Sequence, residues 1–250
     1  MNFGFTAEQE LLRRQVRDFL DEKAPLAQVR EIVAGPDGFS RELWRSIAEL
    51  GWLGLNIPEE LGGVGSDLVT LVVVLEETGR TLFPSPLISN ALAAEALRQA
   101  APEQQRRWLP GLAEGSRIGT LADLEESDVP GEAGVAPLGA RAGDGYVLHG
   151  RKLFVADAPV ADLFVVPFRA EGSERGLTFA LVERGTRGVA VQSLPSLDPT
   201  KRIGVLELAE VRIGGDAFIG PPGGAGGRLR PPVGRCATLV TAAAAGAPRG

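Results

Sequence analysis

Apolar positions in the first half of the chain recur every three or four residues. Thr6 followed by Gln9 is a capping-box pattern, and Leu12, Val16, Phe19 and Leu20 then share one face among Arg, Asp and Glu, which predicts a helix from about Thr6 to Lys23. The polar stretch around Gly35 to Gly38 reads as a connection. Ser40 is placed to cap a second helix whose Leu43, Ile47 and Leu50 share a face, and Gly51 ends it. Pro58-Glu59-Glu60 followed by Gly62-Gly63 reads as a turn. Leu68 to Arg80 and Ile88 to Ala100 are further helical patterns, and Pro102 suits the first turn of another through Trp108. This makes five helices with short connections.

Beyond about Gly119 the period changes. Tyr146-Val147-Leu148 follows the turn signal Gly143-Asp144-Gly145. Apolar runs recur at Leu153 to Val155, Leu163 to Phe168, Leu177 to Val182, Val189 to Val191 and Val205 to Leu208, punctuated by Gly, Pro and Asp with no helical pattern between them. The expected fold is α+β: an N-terminal all-helical domain over residues 1–116, then an antiparallel β-barrel or sandwich over residues 117–220. From Ala217 onward there is no Asp, Glu or Lys, and Gly, Pro, Ala and Arg dominate, so residues 221–250 read as a disordered, low-complexity tail. Thr238 to Ala245 is compatible with a short helix but has little to pack against.

Composition narrows the function classes. With 250 residues, 44% of them hydrophobic, the chain can bury a sizeable core. A formal net charge of -6 argues against nucleic-acid binding, which needs a basic field. The amino terminus is polar and acidic, and no apolar run approaches the ~20 residues of a membrane span, so a cytoplasmic protein without membrane association is expected. A single cysteine, Cys236, excludes an intrachain disulfide, and one histidine, His149, leaves no cluster of soft metal ligands. His149 reads as a surface residue, and Cys236, in the tail, is no candidate nucleophile. A small organic ligand is the class that remains.

Several stretches resemble the acyl-CoA dehydrogenase family. FTAEQELLRRQVRDFL, LWRSIAELGWLGLNIPEELGGVG, LEETGRTLFPSP and LPGLAEG are similar to successive landmarks of its N-terminal helical domain. DGYVLHGRKLFVADAPVADLFVV, GLTFALVERGTRGVAV and LELAEVRI with FIG are similar to its middle β domain. The resemblance runs in order from about Phe3 to Gly220.

The resemblance implies FAD as cofactor and an acyl-CoA thioester as substrate. Family members set the flavin ring against the end of the strand that corresponds to Leu153 to Asp157, usually with Trp-Ile-Thr. Phe154 retains an aromatic face there, whereas Ala156 lacks the hydroxyl and with it one hydrogen bond of about 0.5–1.5 kcal/mol. Without the resemblance, Phe154 reads as a core residue of a buried strand. A second flavin-facing segment corresponds to TLADLEESDVPGEAG, where Ser127-Asp128 fits the family's Ser-Asp pair, Thr-Glu-Pro is unmatched and the loop is shortened. By resemblance Leu121, Asp123 and Ser127 face the flavin, with Ser127 also near the thioester. Glu125, Glu126 and Asp128 make this loop acidic, and a solvated loop is the competing reading. The Pro58 turn is placed near the substrate cavity.

In the family a glutamate of a C-terminal helical bundle removes the substrate α-proton while a hydride passes to the flavin. The tail supplies no glutamate, so no catalytic residue is assigned. The chain is expected to be a truncated acyl-CoA dehydrogenase-like flavoprotein, inactive alone. The alternative is a non-catalytic flavin- or acyl-CoA-binding partner, in a homo- or hetero-oligomer with a complete subunit.

Overall fold

The computed structural model describes residues 4–127, 134–135, 137–171, 176–220 and 240–246. The helical half consists of α1 (Ala7–Lys23), α2 (Leu26–Ala34), α3 (Arg41–Glu49), α4 (Leu68–Arg80), α5 (Leu87–Leu97) and α6 (Pro102–Ala113). At α1 the capping box forms as read: the Gln9 amide donates to Thr6 Oγ1 at 3.2 Å and the Thr6 amide to Gln9 Oε1 at 3.0 Å. Ser40 caps α3 through the Leu43 amide at 3.2 Å. The predicted set lacks α2, a nine-residue helix that starts after Pro25 without a side-chain cap and buries only Val29 and Ile32. So short a helix forms because its neighbours cover it.

α5 is buried on nearly every side, with Ser89, Asn90 and Glu95 inside as well as its alanines. It lies between the other helices and the sheet. Asn90 joins the layers: its Nδ2 donates to the Leu112 carbonyl and its Oδ1 accepts the Gly119 amide, each at 3.1 Å. The Pro58 turn follows a tight path, with Gly62 at φ 82° and Gly63 so close to the Ile57 carbonyl that a Cβ would overlap it.

The second half is built from β1 (Gly119–Leu121), β2 (Pro137–Ala142), β3 (Gly145–Ala156), β4 (Leu163–Ala170), β5 (Thr178–Glu183), β6 (Val189–Leu194), β7 (Ile203–Ile213) and β8 (Phe218–Ile219). Their order is β6-β7-β3-β2-β4-β5-β8, with β1 also on β4. Antiparallel pairs predominate, but the sheet is mixed: β1 and β2 both run parallel to β4. Both reach β4 through long crossovers rather than tight turns, and only a crossover permits parallel pairing. β1 pairs with the start of β4 and β2 with its end, so the intervening chain leaves the sheet after Leu121.

Two predicted runs, Tyr146 to Leu148 and Leu153 to Val155, are one twelve-residue strand, β3. Between them His149 and Arg151 point to solvent while Lys152 points inward, so alternation continues through residues that read as a break.

Residues 240–246 form a further helix, α7, and it does pack. A Cβ on Gly79 of α4 would overlap the Ala243 carbonyl, one on Gly246 would overlap the Glu76 carbonyl, and Ala242 is buried in the core. The Ala/Gly composition that reads as low complexity is what lets these helix backbones touch. The rest of the expected tail, 221–239 and 247–250 with Cys236, lies outside the described residues, as does Asp128. One core cluster draws on both halves, from Val16, Leu20 and Trp52 to Leu148, Phe164 and Leu206.

Candidate functional site

β3 departs from regular strand geometry where the resemblance places a flavin. Lys152 pairs with Leu206 of β7, but Val155 pairs with Gly204, so β3 carries one residue more than its partner and bulges at Leu153 and Phe154. Phe154 has φ 50° and is 58% exposed, whereas Val155 is buried. It is the one aromatic among the exposed large hydrophobic residues described. Positive φ outside glycine is uncommon and costs about 1–3 kcal/mol. Of the four such residues described, Phe154 and Asp157 end β3 and Leu82 lines a nearby cavity.

The chain after β1 runs back along β3. Arg151 pairs with Glu126 at 3.4 Å, Lys152 Nζ donates to Glu125 Oε1 at 2.5 Å, and the Leu153 amide donates to the Leu124 carbonyl at 2.8 Å. At the start of this run Thr120 Oγ1 donates to the Ala156 carbonyl at 2.7 Å, so the chain from β1 also meets the end of β3. Lys152 Nζ also donates to the Pro167 carbonyl of β4 at 2.6 Å. Burial lowers the Lys152 ammonium from its ordinary value, and Glu125 and Asp123 offset part of that. Asp123 is exposed, yet crowding by the surrounding chain partly desolvates its carboxyl and raises it.

An apolar cavity of about 260 Å³ opens next to this strand end. Leu82, Phe83, Leu87 and Ile88 line it with Val240 and Ala243 of α7. Asp157 ties the cavity wall to β3: its amide donates to the Arg202 carbonyl at 2.7 Å, and its Oδ2 accepts Ser89 Oγ at 2.6 Å. Burial pushes the Asp157 carboxyl up to about 6, against the Ser89 hydrogen bond and the Lys201 charge.

Phe154 and Ala156 thus lie on β3, and Leu121 and Asp123 on the chain that runs from β1 back along it. Ser127 lies at the other end of the run, exposed, with Oγ donating to the Gly134 carbonyl at 3.0 Å. Glu125 departs from the competing reading of a solvated acidic loop: it is buried and carries the Lys152 ion pair, which removes one negative charge from the loop surface. The Pro58 turn lines a separate polar depression with Asn56, Glu59, Glu60 and Arg98, not the apolar cavity. His149 is exposed. Lys152, Asp157, Ser89 and Thr120 are site residues that the sequence pattern does not single out. The available signal is a lysine at an inward position of an apolar strand, legible only once β3 is read as continuous. Among the described residues no group of three or more His, Cys, Asp or Glu could hold a metal, and no helix is long and apolar enough to cross a membrane.

Residues 6–116 match the family model for the acyl-CoA dehydrogenase N-terminal domain, and residues 133–209 that for the middle domain. The acyl-CoA dehydrogenase IpdE2 of Mycobacterium tuberculosis is 39% identical over 205 residues, 81% of this chain and 52% of that protein. The ChsE4-ChsE5 complex from the same organism superposes with TM-score 0.80 at 31% identity, covering 97% of this chain and 62% of that one. A glutaryl-coenzyme A dehydrogenase with glutaryl-CoA shares the fold, with TM-score 0.88 at 24% identity over 98% of this chain and 65% of that one. The chain spans about half the length of the curated relatives it matches. Landmarks in sequence, a helical half followed by a mixed sheet, and both family models agree: this chain belongs to the acyl-CoA dehydrogenase family.

Proposed function

We propose that residues 1–116 and 117–220 form the helical and β domains of an FAD-dependent dehydrogenase site for an acyl-CoA thioester. The observation that carries this reading is Phe154, an aromatic face turned to solvent at positive φ on a bulged strand end. A residue held so at a cost is ready to lie against a flat aromatic group. The surroundings fit a flavin: Glu125 is neutralised by Lys152, and the chain from Leu121 to Asp123 lies alongside. Phe154 would hold the ring by contact, with backbone groups near Leu121 and Asp123 along its edge. Ala156 adds no hydroxyl, and its carbonyl is occupied by Thr120. Ser127 is the candidate for the thioester end of the substrate, and the apolar cavity takes its acyl portion. Bound there, FAD would supply the two-electron acceptor for α,β-dehydrogenation.

A second reading has its own support. Asp198 is the one carboxylate among the described residues lining the cavity, and its Oδ1 already accepts the Thr200 amide at 2.9 Å and the Thr200 hydroxyl at 2.7 Å. Among the described residues the cavity offers no other carboxylate to take an α-proton. This favours residues that hold flavin and acyl thioester while the proton is taken by a carboxylate supplied from elsewhere, an arrangement compatible with the heteromeric relative. Titration of the full chain with FAD, followed by anaerobic addition of short- and long-chain acyl-CoAs, separates the readings. Bound flavin that bleaches supports the dehydrogenase. Bound flavin that stays oxidised supports the partner subunit, and absence of FAD binding contradicts both.

A further inference from the structure

Lys152 is the one buried cation among the described residues and one of the largest of their fully buried side chains. Its ammonium sits between Glu125 Oε1 and the Pro167 carbonyl, joining the chain after β1, β3 and β4. Burying two charges is costly enough that apolar residues of similar volume usually serve stability as well or better. What an ion pair adds is direction: an ammonium held by a carboxylate and a carbonyl accepts one register and rejects its neighbours. Here that register is the reversed run of residues 124–126 against residues 151–153. The outer link, Arg151 to Glu126, is long and exposed, so the buried pair is the strong element of the three.

The geometry points to the Lys152–Glu125 pair as a positioning clamp that fixes residues 120–126 against β3, and so sets how Phe154 and the Asp123 backbone meet a bound flavin. It rests on the flavin reading above. The clamp acts two residues before Phe154, at the start of the bulge that turns that ring outward. A slip of one residue in the loop would leave the ammonium without its carboxylate and break the Leu153 amide bond to the Leu124 carbonyl beside Phe154. Lys152 and Glu125 are both buried, so the clamp would act through Phe154 and the Asp123 backbone rather than by its own contact.

The test uses the full chain, the Glu125→Gln variant and the double variant Lys152→Met/Glu125→Leu, which replaces the pair with apolar bulk. FAD affinity, thermal midpoint and hydrogen exchange at the Leu153 amide are measured for each. Glu125→Gln should bind FAD about tenfold more weakly or worse, with faster Leu153 exchange. Its affinity should also improve as pH rises. Facing Lys152 are Glu125 and Asp123 from the loop and the Pro167 carbonyl from β4, so without the Glu125 charge the buried ammonium is the form that burial disfavours. The wild-type affinity should be flat over the same range. The double variant should recover the thermal midpoint but neither the affinity nor the Leu153 protection.

Recovery of all three in the double variant would reduce the pair to packing and overturn the clamp, as would wild-type affinity and protection in Glu125→Gln. If the wild-type chain binds no FAD, the flavin reading fails instead, and Leu153 exchange decides the clamp alone: protection lost in both variants supports it, and protection kept in either overturns it.

Discussion

Glu77 in the helical half and Glu125 in the β half are both buried and both ion-paired, yet their surroundings differ. Arg17 grips Glu77 with two hydrogen bonds, at 2.6 and 3.0 Å, and Arg80 adds a third at 2.8 Å. Both arginine side chains remain partly exposed, at 48% and 34%, so their charges keep much of their hydration. Burial pushes the Glu77 carboxyl up, but the Arg17 and Arg80 hydrogen bonds more than offset it and hold it below the usual range. Glu125 meets an ammonium with no exposure at all. The helical domain therefore shares a buried charge among partners that can replace one another. The β domain instead sets its carboxylate against a fully buried ammonium, beside the strand end proposed to hold the flavin.

The largest effect that would sharpen this contrast is the loss of Lys152. Lys152→Ala leaves Glu125 buried without its ammonium and should destabilise the chain by about 3–5 kcal/mol in urea denaturation. A cost below about 1 kcal/mol would place the pair on a level with exposed ion pairs and dissolve the comparison. Next comes Asp157, whose carboxyl is raised to about 6 in the folded chain. The folded state then binds the proton more tightly than the unfolded state. Stability should fall as pH rises from about 4 to about 6 and level off above, by about 2–3 kcal/mol at most. Asp157→Asn should flatten that profile and be the more stable protein at pH 7. An unchanged slope would mean that Asp157 is not dry.

Glu77→Gln should cost less, about 1–2 kcal/mol at pH 7, because hydrated arginines tolerate the loss of a partner. Its sign with pH is opposite to that of Asp157. The depressed Glu77 carboxyl contributes stability that is present above its unfolded value and lost as pH falls through the folded one, so the gap between wild type and Glu77→Gln should close on acidification. Arg17→Ala should be smaller again, under about 1 kcal/mol, since Arg80 still holds the carboxylate. Thermal denaturation of both variants at two pH values checks the pair.

The same contrast explains what the sequence discloses. α1 and α3 are legible because their signals are local: Thr6 with Gln9, and Ser40 three residues before Leu43. Glu77 and Arg80 stand three apart on one helix, a spacing that the helical period alone turns into a contact. Lys152 and Glu125 stand 27 apart, and the lysine's inward position makes sense only when the loop lies on β3. For that reason β3 reads as two short runs. α2 is hidden because nine residues without a cap leave little pattern. The helix at α7 is compatible with the sequence pattern, but its packing is hidden, because backbone contact with Gly79 needs small residues, which resemble low complexity. The aromatic character of Phe154 is legible, but its exposure is not. Exposure follows from the bulge, and the bulge is set by pairing with β7, about fifty residues away in the chain.

The central claim, that Phe154 presents its ring to a flavin, is tested most directly by FAD titration of the wild-type chain, Phe154→Ala and Ala156→Thr, followed by flavin fluorescence. Removing the ring should weaken binding by about 1–3 kcal/mol, and restoring a hydroxyl at Ala156 should tighten it by about 0.5–1.5 kcal/mol. Equal and measurable affinities for all three chains would contradict the claim and leave the end of β3 as a strained strand that faces only solvent.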